Sequence, residues 1–206
     1  MKKLAIVGAS GHGKVVADLA EILGYQVFFF DDAFPNKKKL AHWDILGSFS
    51  DLLSDQKSYE GAVVAIGNNN IRNEFSNKLS LANFSLPVLI HPSSIVSKYA
   101  DIKQGTVIFA NTVINAFVQI GEYCIINTNA IVEHDCIIGN AVHLSPNVAL
   151  AGATKVENFA WLGIGSVTRQ LVTLGKNAIV GANSTVIHDV PANCTVVGSP
   201  AAVIKK

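Results

Sequence analysis

Aliphatic residues recur at every sixth position along the second half of the chain. From residue 102 to residue 186 an aliphatic residue opens every six-residue block except the one that begins at Thr168. A small or β-branched residue stands four positions after each opener, and glycine often follows the opener directly. The openers are Ile102, Ile108, Ile114, Ile120, Ile126, Val132, Ile138, Leu144, Leu150, Val156, Leu162, Thr168, Leu174, Val180 and Val186.

A period of six is neither the 3.6-residue period of an α-helix nor the simple alternation of an ordinary strand. It predicts a parallel β-helix, in which three blocks form one triangular coil of eighteen residues and stacked coils share a core. A β-sandwich is disfavoured because its strands recur every 8–12 residues with loops of variable length.

The first part of the chain has a different pattern, in which an apolar strand is followed by a glycine turn and a helix. Residues 2–7 are predicted to form a strand, residues 8–13 a glycine-rich turn, residues 14–23 a helix, and residues 25–30 a second strand. This order predicts an α/β domain of Rossmann-like type.

The secondary-structure pattern is weaker between residues 33 and 90. Residues 33–47 are polar and are expected to be irregular, and residues 49–53 to form a short helix. A strand over 61–66, a helix over 71–81 and a strand over 86–90 complete this half. We therefore expect two domains, residues 1–88 in an α/β fold and residues 89–206 in a β-helix with a short C-terminal tail.

Composition narrows the function classes. The net charge is +1 and charged residues make up 15% of the chain, which gives no sign of a nucleic-acid or membrane-surface partner. No apolar run approaches the roughly 20 residues that a membrane span requires. The odd number of cysteines, three, argues against a disulfide framework and favours the cytoplasm.

The glycine turn places several backbone N–H groups at the start of a helix, an arrangement that suits an anion. Gly8, Gly11 and Gly13 give G-x-x-G-x-G, a poor match to the dinucleotide fingerprint. A P-loop is disfavoured because Val15 stands where a Ser or Thr would bind Mg²⁺. Two interpretations stay open: a structural turn, or a site for the diphosphate of a nucleotide-linked ligand with Asp31 or Asp32 at the end of the second strand.

Among the histidines, His134 stands out because Glu133 and Asp135 flank it. A neighbouring carboxylate can orient an imidazole and raise its basicity, which suits a general base, although an isolated surface histidine is more common. His143 lies half a coil further on, on a different face, so a neighbouring chain would be needed to bring the two together. The spacing of His134, His143 and His188 does not fit the three zinc ligands of a γ-type carbonic anhydrase, and no metal site is expected.

Several motifs together closely resemble the NeuD/PglD group of nucleotide-sugar acyltransferases. They are Gly-Ala-Ser-Gly-His-Gly at 8–13, Asp-Asp at 31–32, the segment 65–72, the segment 127–135 and the hexapeptide array. The nearest resemblance is to UDP-4-amino-sugar N-acetyltransferases of the bacillosamine pathway, and it extends over residues 2–206. It implies a left-handed β-helix, acetyl-CoA as co-substrate, a UDP-amino-sugar acceptor, and a homotrimer with CoA between chains.

The resemblance also implies roles for individual residues. His134 matches the general base, and Asp135 matches its supporting carboxylate, which is Glu in the nearest relatives. Gly152, eighteen residues after His134, matches a glycine whose N–H faces the thioester oxygen. Residues that match acetyl-CoA contacts are His143, Gly152, Ile164 and Ala182. Residues that match the UDP-sugar site are Ser10, Gly11, His12, Asp31, Asp32, Asn69 and Arg72.

The resulting hypothesis is direct N-acetylation of the 4-amino group of a UDP-linked amino-deoxy sugar. Positioning, one base and one oxyanion donor are sufficient for attack of a neutral amine on a thioester, without a metal or a covalent enzyme. Two alternatives stay open: O-acetylation of a sugar hydroxyl, as on sialic acid, and a non-enzymatic scaffold that carries a nucleotide-sugar sensor.

Overall fold

The computed structural model describes residues 2–204. The chain divides into two compact units between Leu89 and Ile90, one residue later than the expected boundary after residue 88. Each unit has its own hydrophobic core.

The first unit is a five-stranded sheet with helices. Its elements are β1 (Lys2–Val7), α1 (Gly11–Ile22), β2 (Tyr25–Phe30), β3 (Lys39–Leu40), β4 (Trp43–Gly47), α2 (Phe49–Ser54), a 3-10 turn (Gln56–Ser58), β5 (Gly61–Val64) and α3 (Asn69–Leu81). The strand order is β3-β4-β2-β1-β5, and every pair is parallel except β3 with β4. The last four residues of β1 and all four residues of β5 are buried, as in parallel strands that are covered on both faces, although β5 is the last strand of the sheet.

Four features of the first part of the chain differ from the sequence-based expectation. The region 33–47 is not irregular, because β3 and β4 form an antiparallel pair whose alternate residues Leu40 and Ile45 are buried. The first helix begins at Gly11 rather than at residue 14, and α3 begins at Asn69 because the Asn68 side chain caps its first N–H groups. The strand expected over 86–90 is reduced to its last two residues, which belong to the second unit's ladder.

The second unit consists of very short parallel strands. These are β6 (Leu89–Ile90), β7 (Ile95–Val96), β8 (Asp101–Ile102), β9 (Val107–Ile108), β10 (Val113–Ile114), β11 (Gln119–Ile120), β12 (Ile125–Ile126), β13 (Ile131–Val132), β14 (Ile137–Ile138), β15 (His143–Leu144), β16 (Ala149–Leu150), β17 (Lys155–Val156), β18 (Trp161–Leu162), β19 (Val167–Thr168), β20 (Thr173–Leu174), β21 (Ile179–Val180), β22 (Thr185–Val186), β23 (Thr195–Val197) and β24 (Ala202–Val203).

The strands form three sheets, which we call faces 1, 2 and 3. Face 1 contains β7, β10, β13, β16, β19 and β22, and face 2 contains β8, β11, β14, β17 and β20. Face 3 contains β6, β9, β12, β15, β18, β21, β23 and β24. From β7 to β19, each strand pairs with the strand eighteen residues later, so the expected coil length is confirmed. The last coil is shorter, because Ile179 of β21 pairs with Thr195 of β23.

The hexapeptide pattern explains this core directly. Each opener is the second residue of its strand, and the openers from Ile108 to Val186 are buried, including Thr168. The small residue four positions later is buried as well, for example Cys136 and Ala160. One coil cannot cover its own apolar side, so stacking of coils supplies the stability.

The position three residues after the opener is a left-handed turn in nearly every block, which favours Asn, Asp and Gly there. Asp135 occupies such a turn with φ 62. The C-terminal segment, expected to be a plain tail, continues face 3 through β23, and β24 pairs antiparallel with it.

Candidate active site

His134 lies in the turn that follows β13 on face 1. Its Nδ1 is 2.8 Å from Oδ2 of Asp135, and the two side chains are 62% and 57% exposed. The left-handed conformation of Asp135 brings adjacent side chains of the same turn together. This contact holds the imidazole in one orientation, as a general base requires.

Gly152 occupies the same turn one coil further on. The next residue, Ala153, donates its N–H to the His134 carbonyl at 2.9 Å, so the two turns stack. A methyl group added to Gly152 would lie 2.7 Å from both Cε1 and Nε2 of His134. The ring nitrogen that does not face Asp135 therefore lies against the Gly152 backbone, and only glycine leaves room for it there.

His143 lies in β15 on face 3, so within one chain it is on a different face from His134, as expected. Its Nε2 is 3.5 Å from Nδ2 of Asn127. Its ring is nearly parallel to that of Trp161, the outward residue of the next coil, with ring centroids 6.1 Å apart.

A groove of about 370 Å³ brings together Ile164 and Ala182, two of the residues expected to contact acetyl-CoA. Trp161 and Pro146 line it too, and the Trp161 Nε1–H donates to Oγ of Ser145 at 3.0 Å, which fixes the indole. Its mainly apolar wall suits the aliphatic part of a pantetheine chain.

In the first unit, Ser10, Gly11 and His12 lie at the start of α1, where backbone N–H groups are available to an anion. His12 keeps its Nε2 atom buried. Desolvation, and secondarily the positive charge of Arg72, lower the pKa of His12 to about 4, so the side chain is neutral at pH 7.

The two aspartates at the end of β2 hold backbone segments. Asp31 accepts the Ala9 N–H through Oδ2 at 2.7 Å and the Ala33 N–H through Oδ1 at 2.9 Å. Asp32 accepts the Phe49 N–H through Oδ1 at 3.1 Å. Asp31 therefore ties the glycine turn to the end of β2, and the expected contact of both residues with a ligand stays a prediction.

Arg72 is 1% exposed and joins the loop between β5 and α3. Its Nη1 donates to the carbonyl groups of Ile66 and Gly67, and its Nη2 donates to Oδ1 of Asn69 at 2.7 Å. The structure thus brings Asn69 and Arg72 together, and their binding role stays a prediction.

Sequence reasoning missed two features of the site. Trp161 could have been found, because a large aromatic residue at an outward strand position eighteen residues after His143 is unusual on a solvated face. The second is the contact between the hydroxyl groups of Thr154 and Thr168 near Gly152. Thr168 is marked in the sequence as the polar opener, but nothing in the pattern shows what its hydroxyl contacts.

Among residues 2–204, no helix is long and apolar enough to cross a membrane. Within the same residues, no three His, Cys, Asp or Glu side chains are grouped so as to hold a metal ion. The three cysteines are free.

Comparison with known proteins accounts for both units. Residues 3–79 match the PglD N-terminal domain, and residues 117–152 match the bacterial transferase hexapeptide (six repeats). The GDP-perosamine N-acetyltransferase of Escherichia coli O157:H7 is 31% identical over 189 residues, which cover 88% of this chain and 84% of the relative. The chain belongs to the PglD family of sugar acetyltransferases.

Two solved structures of the family extend over nearly the whole chain. One is a histidine-to-asparagine variant of perosamine N-acetyltransferase from Caulobacter crescentus, in complex with CoA and GDP-perosamine. Its TM-score is 0.96 at 34% identity, covering 100% of this chain and 98% of that one. The other is the acetyltransferase domain of PglB from Neisseria gonorrhoeae with acetyl coenzyme A, with a TM-score of 0.94, 38% identity and coverage of 98% and 99%.

Membership of this family confirms the predicted fold, an α/β domain followed by a left-handed parallel β-helix. The chain is accordingly an acetyltransferase that uses acetyl-CoA.

Proposed function

We propose that this protein transfers the acetyl group of acetyl-CoA to the 4-amino group of a nucleotide-linked amino-deoxy sugar, with His134 as the general base. The observation that carries the proposal is the pairing of Nδ1 of His134 with Asp135 while Nε2 faces Gly152. One ring nitrogen is thus held by the carboxylate, and the other lies against the Gly152 backbone.

In the proposed reaction the neutral amine attacks the thioester carbonyl carbon, and Nε2 of His134 takes a proton from the attacking nitrogen. The C–N bond forms and the C–S bond breaks, and the protonated His134 returns its proton to the departing sulfur, which leaves as the CoA thiol. The Gly152 N–H stabilises the negative charge on the carbonyl oxygen, an effect of about 10²–10³ in kcat for one such donor. No acetyl-enzyme forms.

The nucleotide of the acceptor is proposed by class. The resemblance in sequence favours a UDP-linked sugar, whereas the perosamine relatives are named for GDP-perosamine. Both are nucleoside diphosphates, and the helix start at Ser10–His12 suits a diphosphate in either case. N-acetylation is favoured over O-acetylation because these relatives are named as N-acetyltransferases.

We further propose a homotrimer packed through face 1. The outward residues of that face are Ile95, Val113, Ile131, Ala149, Val167 and Thr185, with Ile95 68% exposed in the single chain. Those of face 2 include Asp101, Gln119 and Lys155. An exposed apolar column of this length is typical of a surface that packs against another copy. Face 3 also has apolar outward residues, but Val107 and Ile125 are already buried in the single chain, and Trp161 and Ile179 line the groove. A cytoplasmic location stays a prediction.

A thiol-release assay with acetyl-CoA tests the activity. Acceptors would be UDP-, GDP- and dTDP-linked 4-amino sugars and free sialic acid. We expect release with a nucleotide-linked amine and initial rates that require both substrates together. Release with sialic acid alone would favour O-acetylation, and acceptor binding without release would favour a sensor.

His134→Asn is expected to lower kcat by at least a hundredfold. The matched control is His188→Asn, because His188 also precedes an aspartate in the same column of turns, but Asp189 accepts the Thr173 N–H instead. Equal activity of the two variants would contradict the assignment of the base, and a trapped acetyl-enzyme would contradict direct transfer.

A further inference from the structure

Thr168, the opener that interrupts the aliphatic series, alters the hydrogen-bond ladder beside Gly152. In the other blocks, the residue directly after an opener donates its N–H to the carbonyl of the opener one coil further on. This holds from Ser97 to Arg169, except at Ala151. Ala151 instead donates its N–H to the side-chain Oγ1 of Thr168 at 3.1 Å. The β16–β19 pairing is correspondingly reduced to Ala149 with Val167.

The next peptide group, Ala151–Gly152, is held through its carbonyl oxygen. The Ala151 carbonyl accepts from Oγ1 of Thr154 at 2.6 Å and from Sγ of Cys136 at 3.4 Å. The Thr154 N–H also donates to this carbonyl at 3.3 Å. Burial raises the pKa of the Cys136 thiol to about 11, so the sulfur keeps its proton and acts as a donor.

The two hydroxyl groups form a directed chain. Their oxygen atoms are 3.1 Å apart, and both residues are buried. Because the Thr154 proton points to the Ala151 carbonyl, the Thr168 proton is left to point to the Thr154 oxygen. The chain therefore runs from the Ala151 N–H through Thr168 and Thr154 to the Ala151 carbonyl, and successive bonds of this kind strengthen one another.

The direction of the Gly152 N–H follows from this arrangement. The Ala151–Gly152 peptide is planar and trans, so its N–H points away from its carbonyl oxygen. Three donors fix that oxygen toward the buried side, next to Cys136 and Thr154. The Gly152 N–H therefore points away from Cys136 and Thr154.

We propose that Thr168, acting with Thr154 and Cys136, is a positioning residue that clamps the Ala151–Gly152 peptide so that its N–H is aimed at the reacting thioester oxygen. This inference rests on the proposed role of Gly152 as the oxyanion donor. It assigns a reason to the single polar opener: an aliphatic residue there would complete the ordinary ladder but would remove the hydroxyl that contacts Oγ1 of Thr154, the donor to the Ala151 carbonyl.

The test compares Thr168→Val, which keeps the shape and removes the hydroxyl, with Thr168→Ser, which keeps the hydroxyl. For Thr168→Val we expect kcat to fall about tenfold, because a donor that is misdirected but not removed loses part of its effect. KM for both substrates should change less than twofold, and Tm should stay equal or rise, since valine restores the aliphatic pattern. Thr168→Ser should retain native kcat.

The matched control is Thr106→Val. Thr106 is buried in another coil, where its hydroxyl accepts the Cys124 N–H at 3.0 Å and donates to the Gly121 carbonyl at 2.9 Å. This variant should lower Tm and leave kcat unchanged. The inference would be overturned if Thr168→Val kept native kcat, or if kcat fell in both valine variants in proportion to Tm.

A second readout is independent of activity. In protein labelled with [¹⁵N]glycine, the Gly152 amide resonance, assigned through its loss in Gly152→Ala, should shift in Thr168→Val and not in Thr106→Val. An unmoved resonance would overturn the clamp. Failure of the native protein to release thiol with any acceptor would instead overturn the proposed function, so the two failures are distinguishable.

Discussion

At the scale of single residues, the site depends on the absence of a side chain at Gly152. In Gly152→Ala the added methyl would lie 2.7 Å from Nε2 of His134, so the imidazole must move. We expect kcat to fall about a hundredfold, as for a misplaced catalytic group, while Tm changes little because the exposed His134 ring can rotate into solvent. Steady-state kinetics and thermal unfolding measure both.

A double-mutant cycle separates this effect from a general disturbance of the coil. If Gly152→Ala acts by displacing His134, its effect on kcat should be much smaller in a His134→Asn background. Independent, additive losses would show that the methyl group harms the reaction by some other route.

The sequence predicted part of this site because the hexapeptide phase is rigid. Counting in eighteens places Gly152 above His134, and the structure has them in contact. The role of Thr168 could not be predicted in the same way. It depends on a side-chain oxygen that replaces a backbone acceptor, and the identity of the residue alone does not show which N–H it accepts.

At the scale of the element, each coil is held by its three inward openers. Leu144 is 0% exposed within the column of face 3. Leu144→Ala should lower the free energy of unfolding by about 2–5 kcal/mol, because a dry cavity between stacked coils cannot collapse without breaking ladder bonds. Leu171→Ala, at a turn position that is 72% exposed, is the control. Similar losses in denaturant unfolding for both variants would contradict this account of the core.

The strength of the sequence signal also differs between elements. The β-helix was predictable because one rule repeats along the chain. The pair β3–β4 was not predictable, because these strands have only two and five residues. They lie in a polar segment, and β4 is stabilised by pairing with β2. The two helices α1 and α3 begin a few residues earlier than the apolar spacing predicted. The start of α3 is set by the Asn68 side chain, which caps its first N–H groups.

The start of α1 should make the stability of the first unit depend on pH. The pKa of His12 falls from 6.5 to about 4 on folding, so between these values the unfolded state binds more protons. Stability from this group is fully present above pH 6.5 and decreases as pH falls toward 4, by about 3 kcal/mol in total. Urea unfolding at several pH values between 4.5 and 7 gives the free energy of unfolding at each pH. This free energy should rise less steeply with pH in His12→Gln than in the native protein. An unchanged pH dependence in His12→Gln would contradict the role of His12. His188→Gln serves as the control.

At the scale of the whole assembly, the two halves of the proposed site lie on opposite edges of face 1. The turn with His134 and Gly152 follows the strands of that face, and the groove turn with Ile164 and Ala182 precedes them. A single β-helix therefore separates base and groove by the width of one face. Copies packed around a threefold axis through face 1 could place the base edge of one chain beside the groove edge of the next.

Mixing two inactive variants tests this arrangement. His134→Asn removes the base, and Ala182→Trp fills the groove; each alone should form inactive trimers. Co-refolded in equal amounts, they should regain about a quarter of native activity, because half of the bases and half of the grooves are intact and pair at random. Mixing without refolding, which leaves the trimers unexchanged, is the control.

Val167→Glu, on the outward side of face 1, should reduce both the fraction of trimer seen in sedimentation and the activity recovered after co-refolding. A mixture that stays inactive while trimers form would show that base and groove of one site come from the same chain.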